Sequence, residues 1–184
     1  MGVIRVHMAV SLDGYFEGPD HDLSWHRVDA EVHQHFNDVL RPSRAFVSGR
    51  VTYELMASYW PTADADPDAE PQEREFAAIW RETPKVVYSR TLQSADWGTD
   101  VVREVDPAAV RALAEEGDLV VGGAELAASF FRAGLVDQVW IYVMPVVIGA
   151  GRSLFEPGQT LDLELLGSRA FGNGVVELRY AVQR

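Results

Sequence analysis

The sequence predicts an α/β protein, a three-layer sandwich with a mixed, mostly parallel central sheet and a C-terminal antiparallel hairpin. Two segments, 45–59 and 118–133, each place a short apolar strand before a glycine and an amphipathic helix, which is typical of a parallel sheet. Segment 138–148 is almost wholly apolar, as expected of a strand that helices cover on both faces. Segments 161–166 and 175–182 alternate apolar and polar residues around a Gly-Asn-Gly turn, so they predict the hairpin.

The first third of the chain alternates strand and helix. Segment 3–10 is β-rich and ends at an Asp-Gly turn, after which a polar loop continues to Asp22. A helix follows its N-cap, Asp29, and apolar residues recur at helical spacing until Pro42 prevents continuation. A second strand, 45–48, then leads through a glycine into the next helix.

The segment from Pro61 to Glu82 differs in character, because it has seven acidic residues against two arginines. We expect an acidic, mobile loop followed by a short helix that carries Phe76, Ile79 and Trp80. A charged surface excursion of this kind is most often simply solvated. The sequence leaves open whether it gates a site.

The second half of the chain continues the alternation. Segment 85–89 is a strand, and Asp106 followed by proline starts a helix that ends at Gly117. A further strand, 118–121, leads through two glycines into the helix 124–133. No linker rich in Pro, Gly and Ser interrupts the chain, so residues 1–184 are expected to form a single domain.

The composition excludes several classes of function. With 16 basic against 28 acidic side chains, the net charge is −12, which disfavours nucleic acid and anionic membranes as partners. The chain has no cysteine, so disulfides, thiolate nucleophiles and Cys-ligated metals are excluded. The first ten residues lack the pattern of a signal peptide, and the longest apolar run, 139–150, is too short to span a bilayer. We therefore expect a cytoplasmic protein.

Both strand-to-helix junctions contain glycine, at Gly49 and at Gly122-Gly123. In a parallel sheet such junctions meet at the carboxyl edge, where the free N–H groups of helix N-termini bind anions. Each glycine alone is more often a plain tight turn, but two such junctions without a Rossmann G-x-G-x-x-G motif favour a nucleotide held in another fold. Four cations are expected near this edge and favour a compact polyanion: Arg44, Arg50, Lys85 and Arg90.

Six short motifs occur in order along the chain. They are Ser11-Leu12-Asp13-Gly14, the runs from Ser48 to Glu54, from Val87 to Leu92, from Val121 to Leu126 and from Gly134 to Gln138, and the run from Pro145 to Gly151 followed by Leu154-Phe155. On these motifs the chain resembles the dihydrofolate reductase-like superfamily. Within it, the chain is similar to the C-terminal reductase domain of the bifunctional riboflavin-biosynthesis deaminase/reductase, from about residue 3 to residue 184.

The resemblance implies an oxidoreductase that binds NADPH across the carboxyl edge of the sheet. In the family, positions matching 49–52 contact the cofactor phosphates, and positions matching Ser89 and Arg90 flank the adenosine 2′-phosphate. Those matching 122–125 lie against the pyrophosphate and the nicotinamide half, and those matching 12–14 begin a loop over the nicotinamide. The implied cofactor-binding residues are Leu12, Gly14, Gly49, Arg50, Val51, Thr52, Ser89, Arg90, Gly122, Gly123, Ala124 and Glu125.

Two positions depart from the family pattern. Folate reductases carry a carboxylate on the first helix where this chain has Val32. The riboflavin-pathway reductases carry a lysine after the Asp-Gly pair where this chain has Tyr15. We therefore expect efficient reduction neither of dihydrofolate nor of the phosphorylated pyrimidine of the riboflavin pathway.

The remaining candidate residues are less specific. Asp13 and Glu31 are candidate catalytic residues that deliver a proton, although Asp13 is equally a turn residue and water could serve instead. Trp25, Val32 and Tyr53 are candidate substrate-binding residues, although aromatic residues at such spacing are more often part of a core. No metal site is expected, since the two histidines of the first helix face different directions.

These observations predict an NADPH-dependent reductase that transfers a hydride to a small planar heterocyclic or carbonyl/imine substrate. The alternative is a protein on the same fold that binds a nucleotide or drug without turnover. Exposed apolar ends of the last strands favour a homodimer.

Overall fold

The computed structural model describes residues 2–183, in which ten strands and five α-helices occur. The strands are β1 (Ile4–Ser11), β2 (Tyr15–Glu17), β3 (Ala45–Gly49), β4 (Lys85–Tyr88), β5 (Thr99–Val102), β6 (Leu119–Gly122), β7 (Gln138–Met144), β8 (Arg152–Ser153), β9 (Leu163–Ala170) and β10 (Val176–Val182). The helices are α1 (Ala30–Leu40), α2 (Arg50–Tyr59), α3 (Pro71–Glu82), α4 (Pro107–Glu115) and α5 (Ala124–Arg132). In this described range, no helix has both the length and the apolar character that crossing a membrane requires.

Eight of these strands form one sheet in the order β5-β4-β3-β6-β1-β7-β10-β9. The six strands from β5 to β7 are parallel, and β10 runs antiparallel to both of its neighbours. The predicted fold class is therefore confirmed. The short strands β2 and β8 pair separately, which holds the loop after β1 against the loop after β7.

Helices cover both faces of the parallel part of the sheet. On one face, Ile4, Val6 and Val10 of β1 pack into a core with residues of α4 and α5. On the other face, two further cores lie beneath α1 and beneath α2 with α3. Successive side chains of a strand point to opposite faces, so β1 contributes to both layers. Each fully buried large aliphatic side chain contributes about 1.5–3 kcal/mol to the stability of this sandwich.

Segment 61–82 is helical over more of its length than the sequence predicts. A 3₁₀ turn occupies Trp60–Ala65, and α3 extends over twelve residues. Arg81 donates to both carboxylate oxygens of Asp64, at 2.9 and 2.7 Å. Arg74 donates to four backbone carbonyls of the same segment. The two arginines of this acidic segment therefore hold the expected loop in place, because each donates hydrogen bonds to several of its carbonyl or carboxylate oxygens.

The observed strands differ from the prediction at three places. Strand β5 is absent from the prediction because it is a four-residue edge strand whose first two residues are polar. The strand expected over 138–148 ends at Met144, because the backbone N–H groups of Ile148 and Gly149 bond to the carboxylate of Asp13 instead of to a neighbouring strand. The first strand of the hairpin is displaced towards the turn and ends at Ala170.

A buried polar network lies between β1, β7, β10 and α1. Tyr142 donates its hydroxyl hydrogen to Glu177 at 2.9 Å, and His35 lies 2.9 Å from the same carboxylate oxygen. The ring of His7 stacks on Tyr142 with a centroid distance of 4.7 Å, and its Nδ1 has no hydrogen-bond partner in the described part of the chain. Burial lowers the pKa of His7 from 6.5 to about 3, and the charges of Arg5 and His35 act in the same direction.

Stability should therefore decrease on acidification through His7. The unfolded chain takes up this proton near pH 6.5 and the folded chain only near pH 3, so acid favours unfolding throughout that window. We expect a loss of about 1–2 kcal/mol between pH 6.5 and pH 5 from this one group. Urea unfolding at several pH values should show a flatter profile for His7→Gln than for the native chain. Parallel profiles for the two would contradict this assignment, and His21→Gln provides the control.

The sheet ends in an uncovered apolar edge. β9 is its last strand, and seven of the eight residues of β9 are exposed. Leu165 pairs with Tyr180 and Leu163 with Val182, so these four side chains lie on one face across β9 and β10. Monomeric proteins usually protect such edges, because an exposed strand edge or an exposed apolar strip binds to other protein molecules. An uncharged strip is self-complementary, which fits a second copy of the chain under two-fold symmetry.

The expected homodimer can be tested at Leu165, which is 57% exposed. Leu165→Glu should convert a dimer into a monomer, because it places two facing carboxylates in an apolar interface. Sedimentation equilibrium measures the change directly. Leu55→Glu, at a similarly exposed leucine on α2, should leave the dimer intact. A monomeric native chain, or a dimer that survives Leu165→Glu, would show that β9 is not the interface.

Candidate functional site

Two adjoining cavities open at the carboxyl edge of the parallel strands. The first has a volume of about 870 Å³ and is lined by segments 49–52, 88–91, 103–105 and 123–126. These segments directly follow or end β3, β4, β5 and β6, so the parallel topology brings them together. The second has a volume of about 410 Å³ and lies on the α2 and α3 side of the sheet.

The N-termini of α2 and α5 both face the first cavity. Gly49 is the N-cap of α2 and Gly123 the N-cap of α5, and neither helix has a side-chain hydrogen bond at its cap. The first N–H groups of both helices are thus available to an anion. Gly123 has a φ of +89°, and a Cβ there would lie 2.6 Å from Thr52 Oγ1. This position therefore requires glycine, and it also fixes how closely the two helix starts approach each other.

The first cavity concentrates positive charge in an acidic chain. Among residues 2–183, five arginines line it, namely Arg50, Arg90, Arg103, Arg132 and Arg152. Arg90 makes no hydrogen bond or ion pair within this described range, so its guanidinium is available to a ligand. Arg50 is held at 2.8 Å by Glu54 in an exposed pair that an incoming phosphate could replace at little cost.

Two of the four cations expected at this edge lie elsewhere. Arg44 precedes β3 and pairs with Glu116 at 2.8 Å, and Lys85 is the first residue of β4. The prediction was wrong for these two because the first residues of parallel strands lie at the amino edge, opposite the glycine junctions. Arg103, Arg132 and Arg152 take their place in the cavity, from segments that are distant in sequence.

A compact turn follows β4 and presents Arg90. Ser89 Oγ accepts the N–H groups of Thr91 and Leu92 at 3.2 and 3.0 Å. Arg103 donates to the carbonyls of Ser89 and Leu92 at 2.7 and 2.6 Å. The turn is thus satisfied internally on both its donor and its acceptor sides. Sequence reasoning missed Arg103 because it missed β5, although the Val-Val pair before it was a weak strand signal.

The second cavity has mainly apolar walls. Its aromatic and thioether lining includes Phe46, Tyr53, Met56, Phe76 and Trp80. Tyr53 donates its hydroxyl hydrogen to the carbonyl of Asp96 at 3.1 Å. Its polar lining includes His7, His26 and Lys85.

Lys85 is committed to the protein despite lining this cavity. Its Nζ donates to the carbonyls of Thr83 and Trp97 at 2.6 and 3.0 Å and lies 4.4 Å from the ring centre of Trp80. Burial lowers the pKa of Lys85 to about 8. Its ammonium group is therefore solvated by backbone carbonyls and an aromatic face instead of by water.

The two cavities share a boundary. Six residues line both of them, namely Phe16, Glu17, His21, Val51, Thr52 and Gly123. Ligands in the two cavities would meet here. Glu17 accepts a hydrogen bond from His21 Nδ1 at 2.9 Å and has Arg152 at 3.7 Å. Sequence reasoning missed this pair because both residues lie in what reads as a polar loop, and only the β2–β8 pairing brings them to the boundary.

The two expected catalytic carboxylates lie outside both linings. Asp13 accepts the N–H groups of Ile148 and Gly149 at 3.2 and 2.8 Å, and hydrogen bonding from Ser11 and this backbone lowers its pKa. Glu31 accepts from Gly172 N–H and Arg169, both at 3.0 Å, and these contacts lower its pKa. The carboxylates of Asp13 and Glu31 are thus stabilised as anions at exposed positions, where their hydrogen bonds hold loop backbone in place.

The other expected residues divide between the cavities and the core. Nine of the twelve cofactor candidates line the first cavity: Gly49, Arg50, Val51, Thr52, Ser89, Arg90, Gly123, Ala124 and Glu125. Gly122 lines the second, and Leu12 and Gly14 line neither. Of the substrate candidates, Tyr53 lines the second cavity, whereas Trp25 and Val32 pack in the core beneath α1. The roles of all these residues in binding a cofactor or a substrate remain predictions.

Known proteins share this sequence and fold. Residues 3–177 match the family model of the RibD C-terminal domain. The uncharacterized protein YyaP of Bacillus subtilis (strain 168) is 30% identical over 183 residues, covering 96% of this chain and 93% of that protein. A pyrimidine reductase-like protein from Corynebacterium diphtheriae superposes with a TM-score of 0.66 at 17% identity, covering 100% of this chain and 92% of that one.

Dihydrofolate reductase from Enterococcus faecalis, solved with NADP(H), superposes with a TM-score of 0.68 at 14% identity, covering 100% of this chain and 98% of that one. At such identities the solved structures establish the dihydrofolate reductase-like fold, and the family match covers nearly the whole chain. The chain therefore belongs to the RibD C-terminal domain family, a family of reductase domains.

Proposed function

We propose that this protein is an NADPH-dependent reductase that transfers a hydride to a small planar heterocyclic or carbonyl/imine substrate. The observation that carries the proposal is the pair of adjoining cavities, one cationic and built on two helix N-termini, the other apolar. A dinucleotide needs anion-binding groups along its length, and an organic hydride acceptor needs a dry pocket at its reactive end. The family membership supports the same reaction class.

The residues of the first cavity fit the cofactor. The uncapped N-termini at Gly49 and Gly123 would hold the pyrophosphate, because no Cβ intervenes and no side chain occupies their N–H groups. Arg90, on its internally satisfied turn beside Ser89, would bind the 2′-phosphate. Bound there, the nicotinamide ring supplies the hydride.

The chain itself would position the reactants and supply a proton. Phe16, Val51 and Thr52 form part of the boundary where the two ligands meet, and the apolar walls beyond it exclude water. At that boundary, Glu17 holds His21 through Nδ1, which leaves Nε2 of the ring to carry a proton to the substrate. This pair takes the role that the sequence suggested for Asp13 or Glu31, whose carboxylates are fixed as anions in loops.

A second candidate is a binding protein that holds a nucleotide or drug without turnover. The position of Asp13 and Glu31 outside both cavities favours it, because a binder needs no proton donor. An assay of NADPH oxidation distinguishes the reductase from the binding protein. The loss of NADPH absorbance is measured with a panel of planar carbonyl and imine compounds. We expect turnover with members of this panel and little with dihydrofolate or the phosphorylated pyrimidine, since Val32 and Tyr15 replace the expected charged groups.

Cofactor selectivity should depend on Arg90. Each charge-assisted hydrogen bond to the 2′-phosphate contributes about 1.5–3 kcal/mol, so Arg90→Ala should weaken NADPH at least about tenfold and NADH much less. Arg50→Ala should act in the same direction but less, because Arg50 is paired with Glu54. Fluorescence titration of the reduced cofactors measures both. Arg41→Ala, outside both cavities, is the matched control, and equal losses for NADPH and NADH would contradict the assignment of Arg90.

The glycine junction can be tested without disturbing the fold at Gly49. A Cβ at Gly49 meets no atom of the described residues within 4 Å, and the φ of −79° at Gly49 suits any residue. Gly49→Val should therefore fold normally while weakening NADPH about tenfold or more, because the side chain enters the space of the phosphates. Gly123→Val is less informative, since its φ and Thr52 would strain the fold itself. A native melting temperature with unchanged NADPH affinity for Gly49→Val would mean that this junction is only a turn.

A further inference from the structure

The shape and charge of the second cavity define the class of molecule that it accepts. Its rings are arranged in two nearly parallel pairs. Phe46 and Phe76 have planes inclined by 27° at a centroid distance of 6.5 Å, and Tyr53 and Trp80 have planes inclined by 28° at 6.4 Å. With Met56 beside them, these rings give a polarisable, apolar lining that favours a flat ring system.

No cation in the interior of this cavity is available to an anionic ligand among the described residues. Lys85 is the only lysine or arginine of the described residues that lines it, and its ammonium group is bound by two carbonyls and the Trp80 ring. Burial lowers the pKa values of His7 and His26, so both rings are neutral near pH 7. His21, the third histidine of the lining, lies at the boundary with the first cavity and is bonded to Glu17. A phosphate or sulfonate placed here would lose its hydration without gaining a counter-charge, which is costly.

No carboxylate in this cavity is available to a cationic ligand either. Glu17 is the only Asp or Glu among the lining residues of the described chain. It lies at the boundary with the first cavity, bonded to His21 and close to Arg152. The helix position that carries a carboxylate in folate reductases is Val32, which is fully buried in a different core. The interior of the cavity therefore offers no charged partner of either sign.

Two histidines, His7 and His26, add polar ring nitrogens to the otherwise apolar lining of this cavity. Both His7 and His26 line the cavity, and each has a buried ring nitrogen that finds no hydrogen-bond partner among residues 2–183. A neutral imidazole can donate one hydrogen bond or accept one, so it suits a carbonyl or N–H group of an uncharged molecule. A ligand with one or two such groups on an otherwise apolar ring would complement this lining.

We propose that the second cavity takes a neutral, flat, fused-ring carbonyl compound, such as a quinone or a conjugated ketone, and discriminates against phosphorylated or otherwise ionised molecules. That this compound is the hydride acceptor rests on the proposed function. In that reaction a carbon of the conjugated system gains a C–H bond as the C4–H bond of the dihydronicotinamide breaks. The carbonyl π pair moves to oxygen, which takes one proton, so NADPH is oxidised to NADP⁺ and the carbonyl compound is reduced.

Naphthoquinone and naphthoquinone sulfonate form a matched pair of probes, because they share a ring system and differ by one fixed negative charge. The chain has no cysteine, so the quinone finds no thiol to alkylate. Quenching of tryptophan fluorescence reports binding, since Trp80 lines the cavity. In the presence of saturating NADP⁺, the neutral probe should bind at least about tenfold more tightly than the sulfonate.

Introducing a cation should reduce this preference. Met56→Lys places an ammonium group in the cavity and should bring the two affinities within about threefold of each other. Leu55→Lys, at the exposed rim, should act in the same direction and serves if Met56→Lys fails to fold. Leu166→Lys adds the same charge on β9, outside the cavity, and should leave the preference unchanged.

The outcomes separate this inference from the proposed function. Equal or tighter binding of the sulfonate to the native chain, or binding of neither probe, would overturn the inference, and NADPH binding would then decide the proposed function independently. A preference for the neutral probe without NADPH oxidation would support the ligand class and contradict the reductase. A preference that Leu166→Lys removes as well as Met56→Lys would mean that overall charge, not the cavity, selects the ligand, and would also overturn the inference.

Discussion

The site depends on one constraint, the parallel alignment of β3, β4, β6 and β1. Because parallel strands end at a common edge, Gly49 at the end of β3 and Gly122-Gly123 at the end of β6 emerge side by side. Thr52 on α2 lies against Gly123 at the start of α5. Two uncapped helix N-termini thereby face one cavity. A single helix N-terminus would give a weak, general anion site, whereas two at a fixed spacing suit an elongated polyanion.

Positive and negative side chains are concentrated in different parts of the molecule. The chain carries a net charge of −12, yet the first cavity is lined by five arginines from five different segments of the described chain. Much of the acidic excess lies instead in segment 61–82, where Arg74 and Arg81 bind carbonyls and a carboxylate. The overall charge therefore disfavours large polyanions, while the cavity remains attractive to a compact one.

The second cavity adjoins the first but has apolar walls in place of a cationic lining. Its floor is the sheet face formed by β1, β6, β3 and β4, and its walls come from α2 and α3. At Lys85, a charge that would otherwise bind an anion is bound by backbone carbonyls. Selectivity in such a pocket comes from the absence of free partners for charged groups, since an unpaired buried charge is penalised more than a neutral ring is rewarded.

The sequence by itself determined the layers, the order of the main elements and the two glycine junctions, because these follow from local periodicity and from residues such as Gly49 and Gly123 that mark turns. It did not determine β5, Arg103 or the Glu17–His21 pair. A four-residue edge strand has too little periodicity to detect, and a polar loop acquires its position only through the β2–β8 pairing. It also assigned Lys85 and Arg44 to the wrong edge. It left open whether Asp13 is a catalytic or a turn residue, and in the fold the Asp13 carboxylate accepts two backbone N–H groups. Tertiary structure decided these points because strand direction and contacts between distant segments, not residue type, fix where a side chain lies and what it touches.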